Sequence, residues 1–198
     1  MHIESISIRN FRCFGNTPAK TAINPGLTGL VGDNGAGKSA VLEALKRLFS
    51  PIASERRIQK ADVHFGHGED SQSIDEREVL IDVVFGFTDA SAIPHVFNDI
   101  FFSAKDKSLR VRVALECLYK RSESFEDDIE VKIYTIRTLD DVPFGPDDER
   151  KTPLRGRATQ FAELVYIPAH RDSLGVTRHA LKNAVSYTHL RAHETAMY

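Results

Sequence analysis

Tryptophan is absent from the 198-residue chain, and cysteine and methionine occur only twice each. Cys13 and Cys117 stand far apart without a CxxC spacing, which excludes a disulfide framework or a cysteine metal cluster, so both thiols are predicted to be reduced and buried. No apolar run approaches the roughly 20 residues of a membrane helix, and the N-terminus lacks a signal-peptide pattern. We therefore expect a cytoplasmic protein without a membrane partner.

The chain also lacks a strong net charge. Lys and Arg number 26 against 28 for Asp and Glu, which gives a formal charge of -2 at pH 7. A basic field over the whole surface is thereby excluded, so any contact with DNA must come from a local patch. The composition, 41% hydrophobic and 27% charged, is typical of a globular protein, and the length suits one domain rather than two.

Hydrophobic periodicity predicts an α/β fold. Alternation over residues 3–8 and a short extended run at 20–23 indicate a hairpin, which an apolar strand at 27–31 follows. Residues 40–49 carry the pattern of an amphipathic helix, and Pro51 ends it.

Three longer alternating runs follow, at 79–87, 111–119 and 129–133. Their period of two predicts strands with one buried face, most simply an antiparallel meander. Between and after these runs the pattern predicts a polar surface excursion at 53–75, a short helix at 91–102, a long loop at 139–157 and a last strand at 161–167.

The most specific motif is a complete GxxxxGKS between a predicted strand and a predicted helix, formed by Gly32, Asp33, Asn34, Gly35, Ala36, Gly37, Lys38 and Ser39. Its glycines let the backbone curl so that several N–H groups point into one hollow, and the helix that begins near Lys38 adds the positive end of its dipole. Lys38 is expected to reach the β- and γ-phosphates of ATP, and the Ser39 hydroxyl to ligate Mg²⁺. The predicted cofactors are ATP and Mg²⁺, and a glycine-rich turn arising by chance is the alternative.

Three runs around this motif, at residues 3–14, 24–32 and 38–45, resemble the SMC and RecF class of ABC ATPases. Within that class the chain is most similar to the overcoming-lysogenization-defect (OLD) nucleases, through Ala61-Asp62-Val63-His64-Phe65 and Tyr166-Ile167-Pro168-Ala169-His170-Arg171-Asp172. The resemblance implies the N-terminal lobe of a P-loop ABC-type head, a mixed sheet with an antiparallel meander around the P-loop helix.

The resemblance also implies roles for individual residues and partners. Arg12, in the Asn-Phe-Arg element, is expected near the nucleotide, with a surface strand arginine as the alternative. Arg171 and Asp172 are expected at the junction with a helical lobe, where a local ion pair is the simpler interpretation. The intact protein is expected to act on DNA and to form a homodimer that holds ATP between two heads.

Catalytic groups are missing from the sequence. A Walker B strand needs four apolar residues before Asp-Glu, because the carboxylates hold Mg²⁺ and orient the attacking water, and none is present. The nearest candidate, Asp82, belongs to an alternating strand and is predicted to face solvent. A signature motif and a Toprim nuclease domain are absent as well. No catalytic residue is therefore assigned, and poor hydrolysis of ATP is expected.

The last residues do not fit the family. Residues 186–195 resemble a translated sequencing adapter, so we expect domain boundaries of 1–185 for the ATPase segment and 186–198 for a disordered, non-native tail. The alternative is a metal site on a helix, formed by His189, His193 and Glu194.

The sequence thus favours the ATP-binding lobe of an ATP-dependent DNA endonuclease of the OLD type, acting in DNA repair or phage defence. An SMC- or RecF-type DNA clamp without nuclease activity is the alternative, which long downstream heptads would indicate. A transporter subunit is disfavoured because such subunits place the loop that reaches the γ-phosphate and the membrane partner a few dozen residues after the P-loop, whereas here three predicted strands intervene. A small P-loop kinase is disfavoured because such kinases usually begin at the P-loop strand, whereas here a hairpin precedes it.

Overall fold

The computed structural model describes residues 1–69, 74–87, 97, 100–103, 108–122, 127–141, 148–154, 158 and 162–166. The chain divides into one compact unit, Met1–Glu163, and a second, Leu164–Tyr198. The predictions for residues 171–172 and for the tail at 186–198 lie outside the described residues. No helix in the described part is long and apolar enough to span a bilayer.

The described residues of the larger unit form a seven-stranded antiparallel sheet, one α-helix and short 3-10 turns. The strands pair in the order β2-β1-β3-β5-β6-β7, and β4 pairs with the start of β5. The elements are β1 (His2–Arg9), β2 (Ala19–Ala22), α1 (Lys38–Phe49), 3-10 turns at Ala53–Arg56 and Lys60–Asp62, β3 (Glu76–Gly86), β4 (Phe102–Ser103), β5 (Leu109–Lys120), β6 (Asp128–Ile136) and β7 (Lys151–Pro153). The predicted α/β class, the hairpin, the P-loop helix and the meander are confirmed.

The core lies between α1 and one face of the sheet. Alternate residues of β1, β3 and β5 point to this face, and the Phe49 ring of α1 packs edge-on against Phe85 of β3 with centroids 5.6 Å apart. Each such buried side chain contributes about 1.5–3 kcal/mol relative to an exposed one. The strand members of this core are Ile6, Ile8, Val79, Ile81, Val83, Phe85, Val111, Val113, Leu115, Cys117 and Tyr119.

The predicted strand at residues 27–31 is not formed. These residues adopt no regular structure, and the side chains of Leu27 and Val31 are 91% and 99% exposed. A strand is stable only when a neighbour satisfies its backbone groups, and no segment among the residues described here pairs with it. An apolar sequence was therefore insufficient to predict a strand.

The prediction that Asp82 faces solvent is wrong. It does alternate to the face opposite α1, but its exposure is only 5% because the segment after β6 folds over that face. Arg112 of β5 holds the Asp82 carboxylate through Nε and Nη2 at 2.6–3.1 Å, and its Nη1 donates to the carbonyl oxygens of Thr138 and Asp140. The alternating pattern predicts the face of the sheet on which Asp82 lies, but it does not predict that a segment of the chain covers this face.

Other segments also differ from the predictions. Within the supposed surface excursion, Ile58, Asp62 and Val63 are buried. The loop predicted at 139–157 contains β7, and residues 162–166 form no strand. Most of the helix predicted at 91–102 lies outside the described residues, and its last residue belongs to β4. Cys117 is buried as predicted, whereas Cys13 is exposed.

Candidate nucleotide-binding site

The GxxxxGKS segment forms a closed loop in front of α1. Gly35 and Gly37 have φ angles of 87° and 92°, in the left-handed region that glycine adopts without steric cost. A turn bond joins the Ala36 amide to the Asp33 carbonyl oxygen at 3.2 Å. The backbone therefore curls at Gly35 and Gly37, whereas Gly32, the first glycine of the motif, is not among the glycines with positive φ.

The side chain of Lys38 folds back onto the start of this loop. Its Nζ donates hydrogen bonds to the carbonyl oxygens of Gly32, at 2.7 Å, and Asp33, at 2.6 Å. The ammonium thus lies against the first residues of the motif although it belongs to the seventh. Since an ammonium group has three donors, one remains for another acceptor.

The N-terminus of α1 is left without an anionic partner. Its N-cap is Gly37, which provides no side-chain cap, and the first turn contains no acidic residue. The amides of Lys38, Ser39 and Ala40 donate to no acceptor within the described part of the chain. Free amides and the positive end of the helix dipole together form an anion-binding position. The exposed Ser39 hydroxyl lies in the same first turn.

A tight turn between β1 and β2, residues 10–15, lies directly behind the loop, and we call it the backing turn. A Cβ added to Gly37 would lie 2.9 Å from Cζ of Phe14 and 3.0 Å from Sγ of Cys13. Gly37 is the buried member of the motif, whereas residues 31–36 are exposed. Glycine is therefore required at this position both by its φ angle and by the close approach of the backing turn.

Asp62 anchors the backing turn to α1. Its carboxylate accepts from Arg47 of α1, at 3.0 and 3.1 Å, and from Nε of Arg12 at 3.0 Å, and its side chain is 2% exposed. Burial alone would raise the pKa of Asp62, but the hydrogen bonds from Arg47, the Gln59 amide and Arg12 outweigh it and hold this pKa below its usual value. The pattern in the sequence did not reveal this role, because Arg12 and Asp62 are 50 positions apart; the Ala-Asp-Val-His-Phe resemblance was the one available signal.

Arg12 does not contact the P-loop backbone. Beside Asp62, its guanidinium lies 3.6 Å from the carboxylate of Glu43, one helical turn beyond Ser39 on α1. Its side chain is 35% exposed. Arg12 is thus held beside the first turns of α1, and the expectation that it lies near the nucleotide stays a prediction.

The one Walker B candidate that the sequence offers, Asp82, is not near Ser39. Asp82 lies on the opposite face of the sheet, and no group of three His, Cys, Asp or Glu residues in the described ranges could hold a metal ion. A cavity of about 220 Å³ opens on that far face, lined by Ser5, Ser7 and the Asp82–Arg112 pair among others. It is separated from the P-loop by the sheet.

Comparison with known proteins identifies a family and a similar solved structure. The family model described as AAA ATPase domain matches residues 1–143, which include the P-loop, the backing turn and β1 to β6. Among curated proteins no relative matches. A solved structure from work on the structural biochemistry of ATP-driven dimerization and DNA-stimulated activation of SMC ATPases is similar, with 16% identity, 70% of this chain and 71% of that chain covered, and a TM-score of 0.45.

Proposed function

Because the chain belongs to the AAA ATPase domain family, we propose that residues 32–39 bind the phosphates of ATP together with Mg²⁺. The observation that carries this proposal is the loop closed around Lys38 in front of uncapped helix amides. A hollow of N–H groups with one cation beside it is complementary to a polyphosphate.

The residues of the loop fit both ligands. The amides at the start of α1 would donate to phosphate oxygens, and Lys38 would exchange its two loop carbonyls for the β- and γ-phosphates. The Ser39 hydroxyl, a hard oxygen donor in the first turn, would ligate Mg²⁺. The metal supplies charge neutralisation on the phosphates.

Binding of ATP is proposed without efficient hydrolysis by this chain. The sequence contains no Walker B carboxylates, and Asp82 is occupied by Arg112 on the other face of the sheet. We expect turnover by the purified chain near background. A rate of about 1 per second, within the usual range of enzymes, would show that a catalytic acid acts at this site after all.

The direct test is calorimetric titration of the 198-residue chain with Mg-ATP. Lys38→Ala should abolish measurable binding, because it removes the cation for the β- and γ-phosphates. Lys20→Ala is the matched control, since Lys20 is an exposed lysine on β2 that lines the cavity on the far face. Equal affinities of wild type and Lys38→Ala would contradict the site.

We further propose that the protein takes part in an ATP-dependent process on DNA. The support is the resemblance of residues 3–14, 24–32 and 38–45 to SMC and RecF proteins. The OLD-like segments at 61–65 and 166–172 favour a nuclease of repair or phage defence over a clamp without nuclease activity. A Toprim carboxylate cluster encoded downstream would support the nuclease, and long heptads would support the clamp.

A homodimer around two nucleotides is part of the same proposal. Sedimentation of the chain with a slowly hydrolysed ATP analogue and Mg²⁺ should show a dimer that Lys38→Ala does not form. A monomer at nucleotide saturation would contradict the dimer for this chain.

DNA binding by the chain, measured by fluorescence anisotropy, should weaken as the salt concentration rises, because phosphate contacts release counterions.

A further inference from the structure

The backing turn is stabilised by hydrogen bonds of its own and by a buried ring. Within it the Asn10 amide donates to the Gly15 carbonyl oxygen and the Phe14 amide to that of Phe11, both at 2.9 Å. Asn10 and Arg12 take positive φ angles of 52° and 51°, a conformation that asparagine adopts readily but arginine only uncommonly. Phe11 is fully buried.

Bonds from distant segments fix the turn further. The Arg12 amide donates to the Asp62 carbonyl oxygen at 2.7 Å, and the His64 amide to that of Asn10 at 2.9 Å. The side-chain amide of Asn10 reaches the Glu78 carbonyl oxygen of β3 at 2.8 Å. The turn is therefore a fixed part of the fold, tied both to the sheet and to the 59–64 segment.

Among the residues that the structure describes, none gives the P-loop comparable support on its other side. Residues 31–36 are exposed, and a Cβ on Gly35 would meet no atom within 4 Å. At Gly37, by contrast, the Phe14 ring and the Cys13 sulfur stand within 3.0 Å of where a Cβ would lie. The backing turn is thus the surface against which the loop rests at Gly37.

We propose that Cys13 and Phe14 are positioning residues that hold Gly37, and with it the free amides at the start of α1, where phosphate binds. The inference rests on the nucleotide binding proposed above. A phosphate is bound by several amides at once, so a displacement of Gly37 weakens all of these contacts together. Neither side chain needs to touch the nucleotide.

The first test compares substitutions at Phe14 with one in the core. Phe14→Ala should raise the Kd for a fluorescent ATP analogue with Mg²⁺ about tenfold, and Phe14→Leu should restore most of the affinity. Phe85→Leu, which alters a buried ring that packs on the far end of α1, should lower the melting temperature and leave Kd unchanged where the protein is folded. An unchanged Kd in Phe14→Ala, or an equal rise in Phe85→Leu, would overturn the positioning role.

A second test keeps the wild-type sequence and adds a bulky group to Cys13 instead of removing a side chain. Cys13 is exposed, whereas Cys117 is buried and burial raises its pKa to about 11, so a thiol reagent should modify Cys13 selectively. A maleimide adduct on Cys13 should raise Kd at least tenfold, and bound Mg-ATP should slow the labelling. Cys13→Ser, treated with the same reagent, should keep the Kd that it has untreated.

The outcomes separate the two proposals. Failure of the unmodified wild-type chain to bind Mg-ATP contradicts the proposed function itself. Normal binding by wild type, by the singly labelled protein and by Phe14→Ala contradicts the positioning role alone. Mass spectrometry of the labelled protein verifies that one adduct is present, at Cys13.

Discussion

Two buried aspartates, one beside α1 and one on the far face of the sheet, are held by arginine in different ways. Asp62 accepts hydrogen bonds from two guanidinium groups and a backbone amide, and these hold its pKa below the usual value although burial opposes them. Asp82 is bound by one guanidinium, that of Arg112, and burial raises its pKa despite this partner. Burial raises the pKa at both sites, but Asp62 has more donors to offset it, whereas Asp82 is also raised by the neighbouring charge of Asp141.

The two pairs also connect different parts of the molecule. The Asp62 cluster joins the backing turn, α1 and the 59–64 segment, all of which border the P-loop. The Asp82–Arg112 pair joins β3, β5 and the segment after β6, on the face that the sheet separates from the P-loop. We therefore expect the first pair to affect both stability and nucleotide binding, and the second to affect stability alone.

Replacement of each aspartate by asparagine should show the largest effects. Asp62→Asn should destabilise the fold by about 3–5 kcal/mol, because Arg47 and Arg12 both lose this buried carboxylate and keep only that of Glu43, at 3.9 and 3.6 Å. Asp82→Asn should cost about 1–3 kcal/mol, since Arg112 keeps the carbonyls of Thr138 and Asp140. Chemical denaturation gives both values. Calorimetry on the folded variants should show weaker ATP binding for Asp62→Asn only, and equal binding by both would remove the distinction.

Replacing three glycines in and before the P-loop by alanine should separate the effect of positive φ from that of contact with the backing turn. Gly37→Ala combines positive φ with a clash against the backing turn, Gly35→Ala has positive φ alone, and Gly26→Ala has neither. Positive φ costs an alanine about 1–2 kcal/mol. ATP affinity should therefore fall most for Gly37→Ala, less for Gly35→Ala and not measurably for Gly26→Ala. Another order, measured by the same titration, would contradict the close contact at Gly37.

Acidification should act on the two aspartates with opposite sign. The pKa of Asp62 is lowered by folding, so its stabilisation is complete above its unfolded pKa and is lost as pH falls through the folded value. The pKa of Asp82 is raised by folding, so stability gains as pH falls through the folded value towards the unfolded one.

The free energy of unfolding, measured from neutral to acid pH, should reveal this difference between variants. The deficit of Asp62→Asn relative to wild type should shrink on acidification, and that of Asp82→Asn should grow. Parallel curves for the two variants would show that the carboxylates titrate alike.

The smallest effect is expected at Lys20, which lines the cavity on the far face. Its side chain is exposed, so Lys20→Ala should change stability by less than about 0.5 kcal/mol and leave ATP affinity unchanged. Thermal unfolding and the ATP titration check both expectations. A clear loss of ATP binding would mean that the far face takes part in the site.

Local patterns in the sequence predicted the elements whose apolar residues recur with a regular period. The alternation of Ile6 and Ile8, the helix after Lys38 and the three long strands are of this kind. Residues 27–31 failed because a strand also needs a partner, and Asp82 because the covering segment lies more than fifty positions downstream.

The candidate site shows the same division between features that follow from local sequence and features that depend on remote contacts. The curl at Gly37 and the position of Lys38 follow from the motif, whereas Gly35, which also takes positive φ, occupies one of its variable positions. The support by Phe14, and its anchoring through Asp62, depends on contacts between segments remote in sequence. Single-sequence patterns carry no information on such contacts.

The central claim is that the amides at the start of α1 bind phosphate. Amide hydrogen exchange with and without Mg-ATP tests it most directly, because the amides of Lys38, Ser39 and Ala40 donate to no acceptor among the residues described. We predict strong protection of these amides by Mg-ATP in wild type and none in Lys38→Ala. Exchange that Mg-ATP leaves unchanged at the start of α1, at a concentration that saturates the protein, would contradict the account.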